Sequence, residues 1–118
     1  MPPRILSISQ HKTVLETRNA VLRSAGYEVI TTMDLSEAER IAKNNGPWAA
    51  AVLGDSISYI HRRDLGRQLK DLVPGLCVIA VVRTSDPIPD RSSADLWINS
   101  LEGPEKLLEA LRSVINAN

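Results

Sequence analysis

Asp55 stands where a carboxylate could do chemistry. It closes the run Trp48-Ala49-Ala50-Ala51-Val52-Leu53-Gly54-Asp55, which carries no charge before its last residue. Pro47 precedes the run, and the run is too short for a buried helix. It reads as a strand covered on both faces, central in a parallel sheet. Ligands and reactions in open α/β sheets gather at the carboxyl ends of strands, so the functional question concentrates at Gly54 and Asp55. The other reactive side chains are isolated. His11 could in principle take a phosphoryl group or a metal, but no second ligand stands at a suitable spacing. His61 belongs to an ordinary charged stretch. Cys77 lies in an apolar run and reads as a buried filler, as free cysteines commonly are. The six glycines are scattered and form no phosphate-cradling loop. No Ser-His-Asp or Cys-His-Asp arrangement can be drawn from the order of residues. The residues alone therefore predict no catalytic group, no metal and no cofactor.

The elements that must position Asp55 follow from periodicity. The chain has 118 residues, the size of one domain spanning 1–118. About 43% of them are hydrophobic, enough to fill one core. Arg4–Ser9 reads as a first strand. Residues 11–25 read as a helix with Val14, Leu15, Val21, Leu22 and Ala25 mostly to one side, stopped at Gly26. Tyr27–Thr32 is a second strand whose mixed polarity predicts an edge. Asp34-Leu35-Ser36-Glu37 has capping-box spacing and opens a helix that ends at Asn45-Gly46-Pro47. After strand three, Leu65, Leu69 and Leu72 form a helical stripe closed by Pro74-Gly75, while 56–64 is polar enough to hold a loop. Leu76–Val82 is a second buried strand. In Arg83–Ser93, Pro87 and Pro89 forbid a regular helix of useful length. Ala94–Ile98 is a short fifth strand. Pro104 opens a last helix with Leu107, Leu108, Leu111, Val114 and Ile115 on one face.

This alternation predicts right-handed crossovers and a parallel sheet between two helical layers, a three-layer α/β/α arrangement. Five strands give the flavodoxin-like doubly wound order 2-1-3-4-5, with the fourth helix shortened or missing. The ends of strands one and three then lie side by side. Acidic and basic residues number 14 each, so net charge favours neither nucleic acid nor an anionic membrane. No apolar run approaches the ~20 residues of a membrane span. The start, Met1-Pro2-Pro3-Arg4, lacks a signal-peptide core, and one cysteine allows no internal disulfide. The expectation is a cytoplasmic domain that ends where the chain ends.

Several strings, in this order and spacing, resemble the receiver domain of bacterial response regulators over nearly the whole chain. They are Arg4-Ile5-Leu6, Ala25-Gly26-Tyr27-Glu28-Val29, the helix Leu65–Pro74 ending in proline, Ala94-Asp95-Leu96-Trp97, and Pro104-Glu105-Lys106-Leu107-Leu108. The resemblance implies a phosphorelay module whose acceptor Asp ends strand three, beside a magnesium ion held by two acidic residues after strand one. Its chemistry is not matched here. Ser9 and Gln10 take the acidic positions, and Gly54 takes the acceptor position. The switch Ser or Thr falls on Val82, with Arg83 and Thr84 one and two places on. The lysine after strand five falls on Ser100, and the aromatic switch residue corresponds to Trp97.

The resemblance therefore implies a degenerate receiver, or pseudo-receiver: a non-enzymatic two-component signalling module that is not phosphorylated and acts through protein contacts. With no output domain attached, it is expected to signal by binding a partner, for which a histidine kinase, another signalling protein or a second copy of the chain are candidates. One alternative is a single-domain response regulator with a displaced acceptor, Asp55. Against it, a shift of one residue along a strand turns the side chain to the other face, where Asp55 would act as a loop or helix cap. Another is a flavodoxin-like domain that binds a small ligand in the vacated pocket. Loss of helix four is expected to expose strand five, giving an interaction face with Trp97, Ile88 and Arg83. The competing expectation is that Ile88 and its prolines fold over the gap and seal it.

Overall fold

The computed structural model describes residues 2–115. Its strands are β1 (Arg4–Ile8), β2 (Glu28–Thr32), β3 (Ala50–Leu53), β4 (Val78–Val82) and β5 (Leu96–Asn99). Its helices are α1 (Lys12–Ser24), α2 (Leu35–Asn44), α3 (Tyr59–Leu72) and α4 (Pro104–Ile115). All strand pairs are parallel, in the order β2-β1-β3-β4-β5. Ile8 pairs with Leu53, so the carboxyl ends of β1 and β3 lie side by side.

The two continuous apolar runs are explained by which face each residue takes. Leu6, Ile8, Ala51, Leu53, Val78, Ala80 and Val82 join a core with Ala38 and Ala42 of α2 and Leu65 and Leu69 of α3. Ile5, Val29, Ala50, Val52, Ile79, Val81 and Ile98 join a second core with Leu22 of α1 and Leu107 and Leu111 of α4. Successive side chains point to opposite faces, and both faces are covered, so β3 and β4 are buried at every position.

Element ends differ from expectation for identifiable reasons. Trp48 and Ala49 precede β3; the Trp48 indole packs on the first core and donates to the Ala42 carbonyl oxygen at 2.8 Å. Leu76 and Cys77 precede β4, and Cys77 packs against the second core but is half-buried rather than fully buried. Ala94 and Asp95 precede β5. The polar stretch 56–64 is helical from Tyr59, because the Ser58 side chain caps the first turn by accepting from the His61 backbone N–H. Asp34 caps α2 through Ser36, but the capping box is not closed. Glu37 pairs with Arg40 instead, and the Asp34 backbone N–H donates to the Thr32 hydroxyl. Gly26 ends α1 at φ +94°, a left-handed conformation that favours glycine. Val14 and Leu72 turn out of their predicted stripes into solvent.

The segment 83–95 contains no helix, yet it is fastened closely to α3. Arg62 pairs with Asp86 at 2.6 Å, Arg67 with Asp90 at 2.9 Å, and Lys70 with Asp95 at 2.6 Å. These cations recur along one side of α3 and meet the segment at its start, middle and end. Between them, Gly66 lets the backbone of Ser93 lie directly on the helix: a Cβ at Gly66 would stand 2.1 Å from the Ser93 carbonyl oxygen. Ser93 and Ala94 are buried in consequence. The gap left by a missing helix is closed by this seam and not by Ile88, which is 70% exposed.

Candidate functional site

β1 and β3 deliver Ser9, Gln10, Gly54 and Asp55 to one end of the sheet. Ser9 is fully buried, and its hydroxyl is 2.8 Å from the Ser56 hydroxyl. The Ser56 hydroxyl accepts from the Gln10 backbone N–H at 2.9 Å, and the Ser9 hydroxyl accepts from the His11 N–H at 3.2 Å. Hydroxyls thus tie the loop after β1 to the loop after β3. His11 caps α1, its Nδ1 accepting from the Val14 N–H at 3.3 Å. It is committed to the helix start. His61 is exposed in the first turn of α3.

Gly54 is buried, and its N–H donates to the Ile8 carbonyl oxygen at 2.8 Å. The guanidinium of Arg18 lies over it. A Cβ built at Gly54 would be 3.0 Å from Arg18 Nη1 and 3.2 Å from both the Ile8 carbonyl oxygen and the Ser9 Cβ. A cation therefore crowds the position that the resemblance assigns to an acceptor side chain. Arg18 Nη1 is buried without a hydrogen-bond partner. Burial lowers the Arg18 pKa from its ordinary value, and the nearby Asp55 charge offsets part of that. As a donor set for a hard divalent cation, two hydroxyls, an amide and a glycine beside a guanidinium do not fit magnesium, which takes carboxylate oxygens. Among the described residues, no three His, Cys, Asp or Glu side chains group as metal ligands.

Asp55 turns toward Arg83, with Oδ2 3.7 Å from Nε, and its side chain is 25% exposed. Val82 is buried at the end of β4, and the Ser100 N–H donates to the Val82 carbonyl oxygen at 2.8 Å. Thr84 accepts from the Asn99 side chain at 3.2 Å, joining the ends of β4 and β5. Thr13, Thr17, Arg18, Val21, Asp55, Ile98, Asn99, Gly103 and Leu107 contribute to the walls of a cavity of about 380 Å³ between α1, the ends of β4 and β5, and the start of α4. Trp97 stands outside it. It pairs with Ala80 on the outer strand and is 46% exposed.

Arg18 was missed as a site residue because it reads as one of the polar residues of α1. The signal was its spacing: it stands three residues after Leu15 and four before Leu22, the buried leucines of α1. Arg18, half-buried with Nη1 fully buried and without a hydrogen-bond partner, carries a desolvation cost. Replacing it by methionine, which keeps most of the stem, is expected to raise stability by about 1 kcal/mol. Urea unfolding checks this; a lower midpoint in Arg18→Met would mean that the guanidinium has a stabilising partner.

No family model matches the sequence, and no curated protein matches it. Solved structures do match in fold. A response regulator receiver domain protein (CheY-like) from Methanospirillum hungatei JF-1 superposes with a TM-score of 0.83 at 20% identity, over 99% of this chain and 96% of its own. A receiver domain protein from Clostridium thermocellum gives 0.83 at 20% identity, over 98% and 95%. A putative response regulator from Chloroflexus aurantiacus J-10-fl gives 0.83 at 22% identity, over 98% and 99%. The five-stranded sheet, its order and its two helical layers are therefore those of the response regulator receiver fold.

Proposed function

We propose that this chain is a pseudo-receiver: a non-enzymatic module of two-component type that works in the cytoplasm by binding protein, without accepting a phosphoryl group. The observation that carries the reading is the Arg18 guanidinium over Gly54. Phosphoryl transfer to a carboxylate needs an acceptor, a metal and a group to offset developing charge. Here the acceptor position has no side chain, the metal positions hold Ser9 and Gln10, and the Arg18 guanidinium lies over Gly54. Asp55 faces Arg83 and lies two residues beyond the end of β3, one past the acceptor position. No magnesium binding is expected at millimolar concentration, checked by calorimetry. Incubation with acetyl phosphate is expected to leave the intact mass unchanged. An adduct mapped to Asp55, or a magnesium isotherm abolished by Asp55→Asn, would establish the displaced-acceptor reading instead.

The working surface in this proposal is the outer edge at β5 and the segment 83–93. Trp97 and Ile88 are large apolar side chains left in solvent there, and exposed Arg83 opens the segment directly after β4. Aromatic anchors of this kind often carry about 2 kcal/mol or more of binding. Trp97→Ala is expected to keep its circular dichroism spectrum and lose a partner in pull-down, or lose self-association in sedimentation. A folded mutant that keeps every partner and the same oligomeric state would move the contact surface elsewhere.

A further inference from the structure

We infer that the cavity between α1 and α4 is a binding site for a small monocarboxylate with an apolar body, and that Arg18 is the residue that recognises its charge. Trp97, the anchor of the proposed protein-binding face, stands outside this cavity. Most of the cavity wall is apolar, with Val21, Val81, Ile98 and Leu107 among its members. Its volume of about 380 Å³ is at the small end of ligand sites and fits a phenyl ring or a short acyl chain. Sites of this type combine apolar walls with a few polar groups that fix orientation.

The unmet group decides the chemistry. Glu102 lines the cavity, but its Oε1 already accepts from the Asn99 N–H at 3.0 Å. Asp55 lines it; its charge acts on Arg18 without a hydrogen bond, and its Oδ2 stands 3.7 Å from Arg83 Nε. Arg18 lines it with Nη1 buried and unpartnered. What Arg18 Nη1 lacks is therefore an acceptor within hydrogen-bond reach. Charged acceptors bind a guanidinium more strongly than neutral ones and can do so through two oxygens. Two carboxylates in the lining argue against a dianion, because like charges repel at close range. A single negative charge on an apolar body satisfies all three conditions: it pairs Arg18, covers the apolar wall and limits repulsion from Asp55 and Glu102.

The test is a titration of the isotopically labelled chain with benzoate and with hexanoate, followed by amide chemical shifts. Saturable shifts are expected at Thr17, Val21, Ile98 and Gly103, with a dissociation constant on the order of 100 μM for a ligand this small. Benzamide, isosteric but neutral, is expected to bind at least about tenfold more weakly. Arg18→Met should weaken benzoate by about tenfold or more, since it removes a charged hydrogen-bond donor. Val21→Phe fills the cavity while leaving Arg18 in place, and should do the same. The dispersed spectrum of each variant reports folding. The inference is overturned if neither acid saturates any of these amides by about 10 mM, near the limit of specific binding. It is also overturned if Arg18→Met binds benzoate as tightly as the parent chain. Equal affinity for inorganic phosphate at the same amides would overturn it too, because the site would then read charge without the apolar body.

Discussion

Gly66→Ala is expected to lower the unfolding free energy by about 2 kcal/mol, although alanine is the better helix former. In an exposed helix interior this change stabilises by about 1 kcal/mol. Here the new Cβ would stand 2.1 Å from the Ser93 carbonyl oxygen and 3.0 Å from its carbonyl carbon. Both are backbone atoms, so no rotamer change relieves the contact. Either α3 or the segment 83–95 must move, and overpacking of this kind costs about 3 kcal/mol. The balance is a loss of about 2 kcal/mol, or a melting temperature lower by about 8 °C at this chain length. Gly66→Val adds bulk without the gain in helix propensity and should lose more. Gly103 serves as the control, since a Cβ there meets nothing within 4 Å. A melting temperature for Gly66→Ala at or above that of the parent would show that the segment does not rest on α3. Because the segment also borders Trp97, the same variant is expected to disturb the proposed partner surface more than changes on α1 do.

The sheet was legible in the sequence because burial on both faces leaves an unbroken apolar run. Trp48–Leu53 and Leu76–Val82 could be assigned without any contact being known, and each lost only its leading two residues. The absent helix was legible because Pro87 and Pro89 remove donors two residues apart. What replaced that helix was not legible. Arg62 sits in His61-Arg62-Arg63 and reads as solvated charge, yet it is only 3% exposed. Its partner Asp86 lies 24 residues away, and no local rule joins them. A signal did exist: Arg62 precedes Leu65 by three and Leu69 by seven, which puts it on the buried stripe. Gly66 lies on that stripe as well. At the candidate site, Ser9, Gln10 and Gly54 were found through resemblance, since their meaning lies in what they replace. Arg18 has meaning only through the geometry that sets it over Gly54.

Asp86→Ala is expected to be among the most destabilising single changes in the chain, at about 3–5 kcal/mol. Arg62 donates to the Ile57 carbonyl oxygen at 3.0 Å and to Asp86 Oδ2 at 2.6 Å, and that same Oδ2 accepts from the Arg83 N–H at 2.8 Å. Removing the carboxylate leaves the guanidinium buried with one partner lost and frees the Arg83 amide. The cost is mostly that of the stranded charge, so it should shrink when the charge goes too. The double variant Arg62→Met with Asp86→Ala should recover at least half of the loss, a coupling that a double-mutant cycle reads directly. The pair also predicts the acid limb of stability. Burial pushes the Asp86 carboxyl up, but hydrogen bonds from the Arg83 N–H and the Arg62 guanidinium, with both positive charges, outweigh it and hold the pKa below the ordinary carboxylate value. A carboxyl lower in the folded than in the unfolded chain binds protons more readily after unfolding. Its contribution is therefore complete above the unfolded value near about 4 and drains away as pH falls through the folded one. Asp90, held at about 2 by the Ser92 hydroxyl and Arg67, acts with the same sign further down. The urea midpoint is expected to be insensitive to this pair from pH 7 to about 5 and to fall below about pH 4. Asp86→Ala should start lower at neutral pH and fall less steeply in acid. Parallel acid limbs in the parent and the variant would mean that the Arg62–Asp86 pair does not carry this stability.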